Sequence, residues 1–207
     1  MTWDPFPEDD APSAGGGREP GLAASFRPVP GGAAAFFEQP QAGVIRSLVS
    51  QVAELVSADA ADAEATEDGG EVDNLEAELG LSSHVEPPDD PVLARLLPDG
   101  YSNDPQASAE FRRYTEETLR SGKVASAQVV LASLPPGGGE VRLSEPECQQ
   151  WLRALNDVRL ALSVRLGITD EDDDLTEQLA VDDPRAAYIW VYQWLAYLQD
   201  SLLDALT

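Results

Sequence analysis

Lysine, cysteine and histidine are almost missing from this 207-residue sequence, where Lys123, Cys148 and His84 each stand alone. One cysteine forbids a disulfide within the chain and points to a reducing compartment. One histidine, set in an acidic stretch with no cysteine beside it, leaves no Ser-His-Asp, Cys-His or zinc-binding set to assemble. Phosphate-binding loops are missing as well. Gly137, Gly138 and Gly139 run into Glu140 with no Lys or Ser/Thr where such a loop needs one, so they read as a linker. No apolar run reaches the roughly 20 residues of a membrane span, because the most apolar stretch, residues 186–198, contains Gln193. The opening residues, Trp3, Asp4 and Pro5 among them, lack the basic and apolar regions of a signal peptide. The expectation is a cytoplasmic protein without a membrane partner, and with no catalytic, cofactor-binding or metal-ligating set.

Positive charge is scarce, with 13 Lys and Arg against 38 Asp and Glu and a formal net charge of -25. The excess is uneven: -3 over residues 1–46, -13 over 47–94, zero over 95–165 and -9 over 166–207. Nucleic-acid affinity rests on neutralising phosphates with Lys and Arg, so this balance disfavours a nucleic-acid partner. A local basic face within the neutral segment stays open. The acidic run itself is no calcium loop. Asp170, Asp172 and Asp174 match the first, third and fifth ligand positions, but Leu175 and Val181 stand where Gly and Glu are needed.

What the sequence does contain is a helical core. Residues 1–21, rich in Pro, Gly and Asp, read as a disordered tail. Residues 24–29 and 33–39 flank Pro30, Gly31 and Gly32 as a short β-hairpin. From Gln41, the apolar residues Val44, Ile45, Leu48, Val49, Val52, Leu55 and Val56 recur at three and four, predicting an amphipathic helix that ends near Ser57. An acidic insert over about 58–90, poor in large apolar residues, reads as disordered. Residues 91–97 then form one or two helical turns before Pro98. Asp104 and Pro105 open a helix with Phe111, Tyr114 and Thr118 on one face. Ser121 and Gly122 are expected to break it, and residues 124–134 to resume it. That arrangement has the outline of a helix-turn-helix, but its second helix offers no Arg to read guanine.

Ser144, Glu145, Pro146 and Glu147 form a capping box. The helix it starts carries Trp151, Leu155, Val158, Leu162 and Leu166 on one stripe, with Leu160 and Val164 opposite, so both faces should be covered. Asp183 and Pro184 start the last helix, which is apolar almost all round and therefore central or part of a homo-oligomer contact. The expected fold is mainly α: a bundle of five to six helices with a short N-terminal β-hairpin, forming one domain over 22–207.

Five arginines are candidate partner-binding residues: Arg112, Arg113, Arg120, Arg159 and Arg165. The pairs Arg112 with Glu116, Arg113 with Glu117 and Glu116 with Arg120 are four apart, the spacing of ion pairs on a self-compensated exposed face. Arg153 and Asp157 have the same spacing. Arg159 and Arg165 flank the apolar stripe without a partner on their own helix, so each needs a group from another element or a ligand. Cys148 is the candidate redox residue. Its place three before Trp151 and seven before Leu155 puts it on the apolar face, as a small core residue that reacts slowly.

Three segments carry a family resemblance: Asp90 through Pro98, Glu110-Phe111-Arg112-Arg113, and Trp151 through Leu160. With the start at Asp182-Asp183-Pro184-Arg185 and Tyr192-Gln193-Trp194-Leu195, they resemble the actinobacterial domain of unknown function 2017. That family includes an oxidative-stress regulator, which implies a cytoplasmic, transcription-linked role through a redox-responsive disulfide. A single cysteine departs from that mechanism. The resulting expectation is a non-enzymatic regulatory protein that contacts a protein partner such as the transcription machinery. Two alternatives stand beside it: a DNA-binding regulator using the neutral middle segment, and an enzyme using carboxylates and arginines only.

Overall fold

Pro30 and Gly31 turn the chain between strand β1 (Arg27–Val29) and strand β2 (Gly32–Phe37), which pair antiparallel with Arg27 opposite Ala34. The protein is known here from a computed structural model that describes residues 24–66, 86–101, 103–168 and 185–207. The tail at 1–21, His84, the Asp170 to Asp174 run and the Asp183-Pro184 start lie outside the described residues, as does most of the acidic insert.

The expected hairpin is extended to a three-stranded sheet. Strand β3 (Gly139–Ser144) pairs antiparallel with β2, Gly32 opposite Ser144 and Phe37 opposite Gly139. The glycine run expected as a linker therefore leads into a strand. Alternation of inward Val141 and Leu143 with outward Glu140 and Arg142 is the period-two signal of β structure, overshadowed in the sequence by the preceding Pro and Gly. Two glycines are required by close approach. A Cβ on Gly32 would lie 1.9 Å from the Leu143 carbonyl oxygen, and one on Gly138, at φ 76°, would lie 2.5 Å from that of Phe37.

Helix α1 (Gln39–Thr66) buries Ala42, Ile45, Leu48, Val49, Val52, Leu55 and Val56, the stripe expected from its spacing. It runs nine residues beyond the expected end at Ser57, into the start of the acidic insert. The alanines at 58, 60, 61 and 63 have high helix propensity, which sustains the turns after the apolar stripe stops. Asp90 caps the short helix α2 (Pro91–Leu96), accepting from the Val92 N–H at 2.7 Å. Asp104 caps helix α3 (Pro105–Ser133), accepting from the Ala107 N–H at 3.0 Å.

Helix α3 is continuous through Ser121 and Gly122, so the expected break and the helix-turn-helix corner are absent. A helix-interior glycine costs roughly 1 kcal/mol relative to alanine. Burial of Ala127 and Val130 and the ion pairs of Arg120 and Lys123 on either side of Gly122 outweigh that cost.

Helix α4 (Glu145–Leu166) is the central element and packs against α1, α2, α3, the sheet and α5 (Ala186–Asp204). Glu147 accepts from the Ser144 backbone N–H at 2.8 Å, as the capping box predicts. Trp151, Leu155, Val158 and Leu162 are fully buried, while Leu160 and Val164 pack half-buried on the other side, so α4 is covered on both faces. Trp151 meets Phe26 edge-on at 5.5 Å and stacks on Phe37 at 5.9 Å, and its indole N–H donates to Ser133 Oγ at 2.8 Å. On α5, Ile189, Trp194, Leu195, Leu198 and Leu202 face inward, whereas Trp190 and Tyr197 are exposed. Five helices and three strands make up the described residues, a mainly α fold. No described helix is long and apolar enough to cross a membrane.

Candidate functional site

The first half of α3 turns its charged side inward. Ser108, Arg112, Glu116 and Arg120, spaced by four, are all buried, while Phe111 and Tyr114 face solvent. This corrects the expectation that the arginine ladder forms an exposed face. Spacing alone cannot tell the two arrangements apart, because an i to i+4 pair has the same geometry on either side of a helix. What decides it is a set of backbone oxygens brought in by other elements.

Arg112 donates to Glu116 at 2.7 Å, to Asp99 at 2.7 Å and to the Leu97 carbonyl at 3.3 Å from each terminal nitrogen. Leu97 is the C-cap of α2, so its carbonyl is one that helix hydrogen bonding leaves over. Arg120 donates to Glu116 at 2.6 and 2.9 Å and to the Val56 carbonyl of α1 at 2.7 Å. Two guanidinium groups thus face two carboxylates, and the cluster is neutral. Burial works against the Arg112 charge, but its hydrogen bonds to Glu116 and Asp99 outweigh that and hold its pKa above the ordinary value. The cluster clamps α1, α2 and α3 together.

A second, part-buried pair lies one turn further on. Lys123 donates to Asp157 of α4 at 2.6 Å, in a gap between helices whose walls include Val49, Val52 and Val158. Asp157 was expected to pair with Arg153, but it takes Lys123 instead. Burial pushes the Asp157 carboxyl above its ordinary value, against the pull of Lys123.

The other candidate arginines are dispersed. Arg113 is half-buried on the flank of α3. Arg159 donates to the Gln199 amide oxygen at 2.6 Å and lies 5.1 Å from the Tyr192 ring centre, tying α4 to α5. Arg165 donates to Asp90 at 3.2 Å. The groups that sequence reasoning asked another element to supply for Arg159 and Arg165 are thus an amide with a ring face and a carboxylate. Asp99 and Lys123 were the members missed, and only the tertiary fold brings them near. Cys148 is fully buried, with Sγ 3.9 Å from the Leu143 carbonyl oxygen; burial raises its pKa.

On the outside, Phe111 is 45% and Tyr114 64% exposed, and Tyr101 meets Phe111 edge-on at 6.1 Å. The site therefore consists of a rigid, charge-balanced interior and an aromatic outer surface. Among the described residues no three His, Cys, Asp or Glu side chains are grouped to hold a metal ion.

The sequence model of a family described as a domain of unknown function, DUF2017, matches residues 23–206. Proteins named oxidative stress regulator AosR from Mycobacterium tuberculosis and Mycobacterium bovis are 37% identical over 145 residues, 63% of this chain. The chain spans 65% of the length of those relatives. A protein named putative oxidative stress regulator AosR from Mycobacterium leprae is 35% identical over 154 residues, 68% of this chain and 70% of its own. No solved structure matches the chain.

Proposed function

Because this chain belongs to the domain of unknown function 2017 family, we propose that it is a non-enzymatic regulatory protein, linked to transcription under oxidative stress and acting by protein contact. The observation that carries this reading is the 37% identity to mycobacterial proteins named oxidative stress regulators. The arrangement of residues agrees with it. Arg112, Glu116 and Arg120 are consumed in holding three helices together, while aromatic side chains are presented to solvent on α3 and α5. Such rings supply contact area at low entropic cost.

Oxidant sensing by a disulfide within these 207 residues is excluded by the single cysteine. With Cys148 also buried, the oxidative signal on this reading reaches the protein through its partner or its abundance. The test is affinity purification of the full chain from an actinobacterial lysate, with and without peroxide. Co-purification of transcription-machinery subunits is the expected result. A retarded band with random duplex DNA at low salt would instead support direct DNA binding, and turnover of a metabolite would overturn the non-enzymatic reading.

A further inference from the structure

Strand β3 lies at the edge of the sheet, and among the described residues no strand pairs with its outer side. The Glu145 N–H donates to the Gly31 carbonyl at 3.1 Å, in step with the register that sets Ala33 opposite Leu143 and Ala35 opposite Val141. Backbone direction alternates along a strand, so Val141 and Leu143 bond to β2 while Glu140, Arg142 and Ser144 aim their N–H and C=O outward. Both ends of that outer edge are closed. The Gly138 N–H, just before the strand, donates to the Pro135 carbonyl at 2.9 Å, and the Ser144 N–H donates to Glu147 at 2.8 Å. Between them, Glu140 and Arg142 each present an N–H and a C=O that make no hydrogen bond among the described residues. The opposite edge has no such window, because Pro28 of β1 lacks an N–H and that of Phe26 donates to Ser201 Oγ at 3.1 Å.

Charge makes this window complementary to itself. Arg27 and Arg142 both donate to Glu140 Oε1 at 3.1 Å, which leaves Oε2 open, and all three side chains are exposed on the outer face of the sheet. Charged side chains on an edge ordinarily keep other strands away. Here the signs alternate about Val141, so they fit the same strand reversed. When a second β3 lies antiparallel with Val141 on a two-fold axis, Glu140 of each copy falls opposite Arg142 of the other. Every open backbone group is then used, in four hydrogen bonds. Moving the axis to Glu140 would set carboxylate against carboxylate and call on the Gly138 N–H. Moving it to Arg142 would set guanidinium against guanidinium and call on the Ser144 N–H, and both of those donors are already taken.

We infer that this chain self-associates by pairing β3 with β3 of a second copy, in one continuous sheet with Val141 on the two-fold axis. The contact is isologous and the backbone supplies most of it. It is short, below the roughly 1,200 Å² end of specific interfaces, so the dimer dissociates with a Kd on the order of 100 μM. It uses none of the exposed rings of α3 and α5, so it is separate from the contact with the partner proposed above, and either can fail alone.

The test is sedimentation equilibrium of the full chain between about 10 μM and 1 mM, in roughly 0.15 M salt to screen its net charge. A concentration-dependent dimer is expected. Glu140→Arg and Arg142→Glu should each weaken it roughly tenfold, because like charges then face each other, and the two variants mixed should pair with one another. Arg142→Pro removes an open N–H and should also weaken the dimer, with circular dichroism and melting temperature unchanged, since that N–H bonds to nothing within one copy. Oxidative cross-linking adds the register: in a Cys148→Ala background, Val141→Cys should give a disulfide-linked dimer, while Val29→Cys on β1 should not. A monomer throughout, a dimer indifferent to Arg142→Pro and to both charge variants, or cross-linking through Val29→Cys in place of Val141→Cys would each overturn the inference. A mixture of the two charge variants that stays monomeric would overturn the register.

Discussion

Arg165, near the end of α4, donates to Asp90 at 3.2 Å, across 75 residues of sequence. The other Asp90 carboxylate oxygen caps α2. One side chain therefore closes a helix start and anchors the end of the central helix. Asp90→Ala should cost about 1 kcal/mol for the lost cap and up to about 1 more for the half-buried pair. Asp90→Asn keeps the capping oxygen, so it should lose less. Urea midpoints of the two variants separate these contributions, and equal losses would show that the cap contributes nothing.

Glu116 is the shared acceptor of two buried guanidinium groups. Removing it leaves both cations short of a partner in the interior, so Glu116→Ala should destabilise the fold by about 3 to 5 kcal/mol. Arg142→Ala removes an exposed pair with Glu140 and should change stability by less than about 0.5 kcal/mol. Chemical denaturation reads both.

Trp190 and Trp194 lie one turn apart on α5, at 39% and 7% exposure. Trp194→Ala should cost about 3 to 5 kcal/mol through cavity formation. Trp190→Ala should cost under about 1 kcal/mol, in keeping with a surface change. Similar losses for the two in thermal melts would mean that α5 is rotated from the orientation described.

The Glu147 carboxyl is held below its ordinary value of 4.5, chiefly by the Ser144 side chain and then by the Ser144 backbone N–H. A carboxyl depressed in the folded state contributes stability that is fully present above its unfolded value. That contribution is lost as pH falls below 4.5 and through the folded value. Glu147→Gln should therefore melt lower than the parent at pH 7 and converge on it in acid. A constant gap from pH 7 to about 3 would remove the carboxylate from the cap.

Cys148 is buried, and its thiol is pushed above its ordinary pKa by that burial. Native-state labelling should be slow and should accelerate with denaturant, because the thiolate is both scarce and enclosed. Fast labelling, or a peroxide-induced dimer that Cys148→Ser abolishes, would place the thiol at the surface and return it to redox sensing.

Much of the fold could be read from local pattern. The Asp90 and Asp104 caps, the Ser144 and Glu147 box, the α1 stripe and the Trp151 stripe all act within a few residues, and each is found where its spacing predicts. Strand β3 was less legible, since two inward residues after a glycine run give a short signal. The continuity of α3 was missed because a Ser-Gly pair is judged by propensity, while packing on both sides of it determined the outcome. The candidate arginines were legible as pairs and illegible as a buried cluster.

That difference divides what this sequence determines alone from what the tertiary structure decided. Helix starts, the apolar stripes and the scarcity of reactive residues follow from the chain itself, because capping, periodicity and composition are local. Which side of α3 faces inward was decided by the carbonyls of Leu97 and Val56, the carboxylate of Asp99 and the pairing of Lys123 with Asp157. These groups come from three other parts of the chain: α1, the end of α2 with the loop after it, and α4. An arginine can be buried only where such partners converge, and no spacing along one helix encodes their arrival.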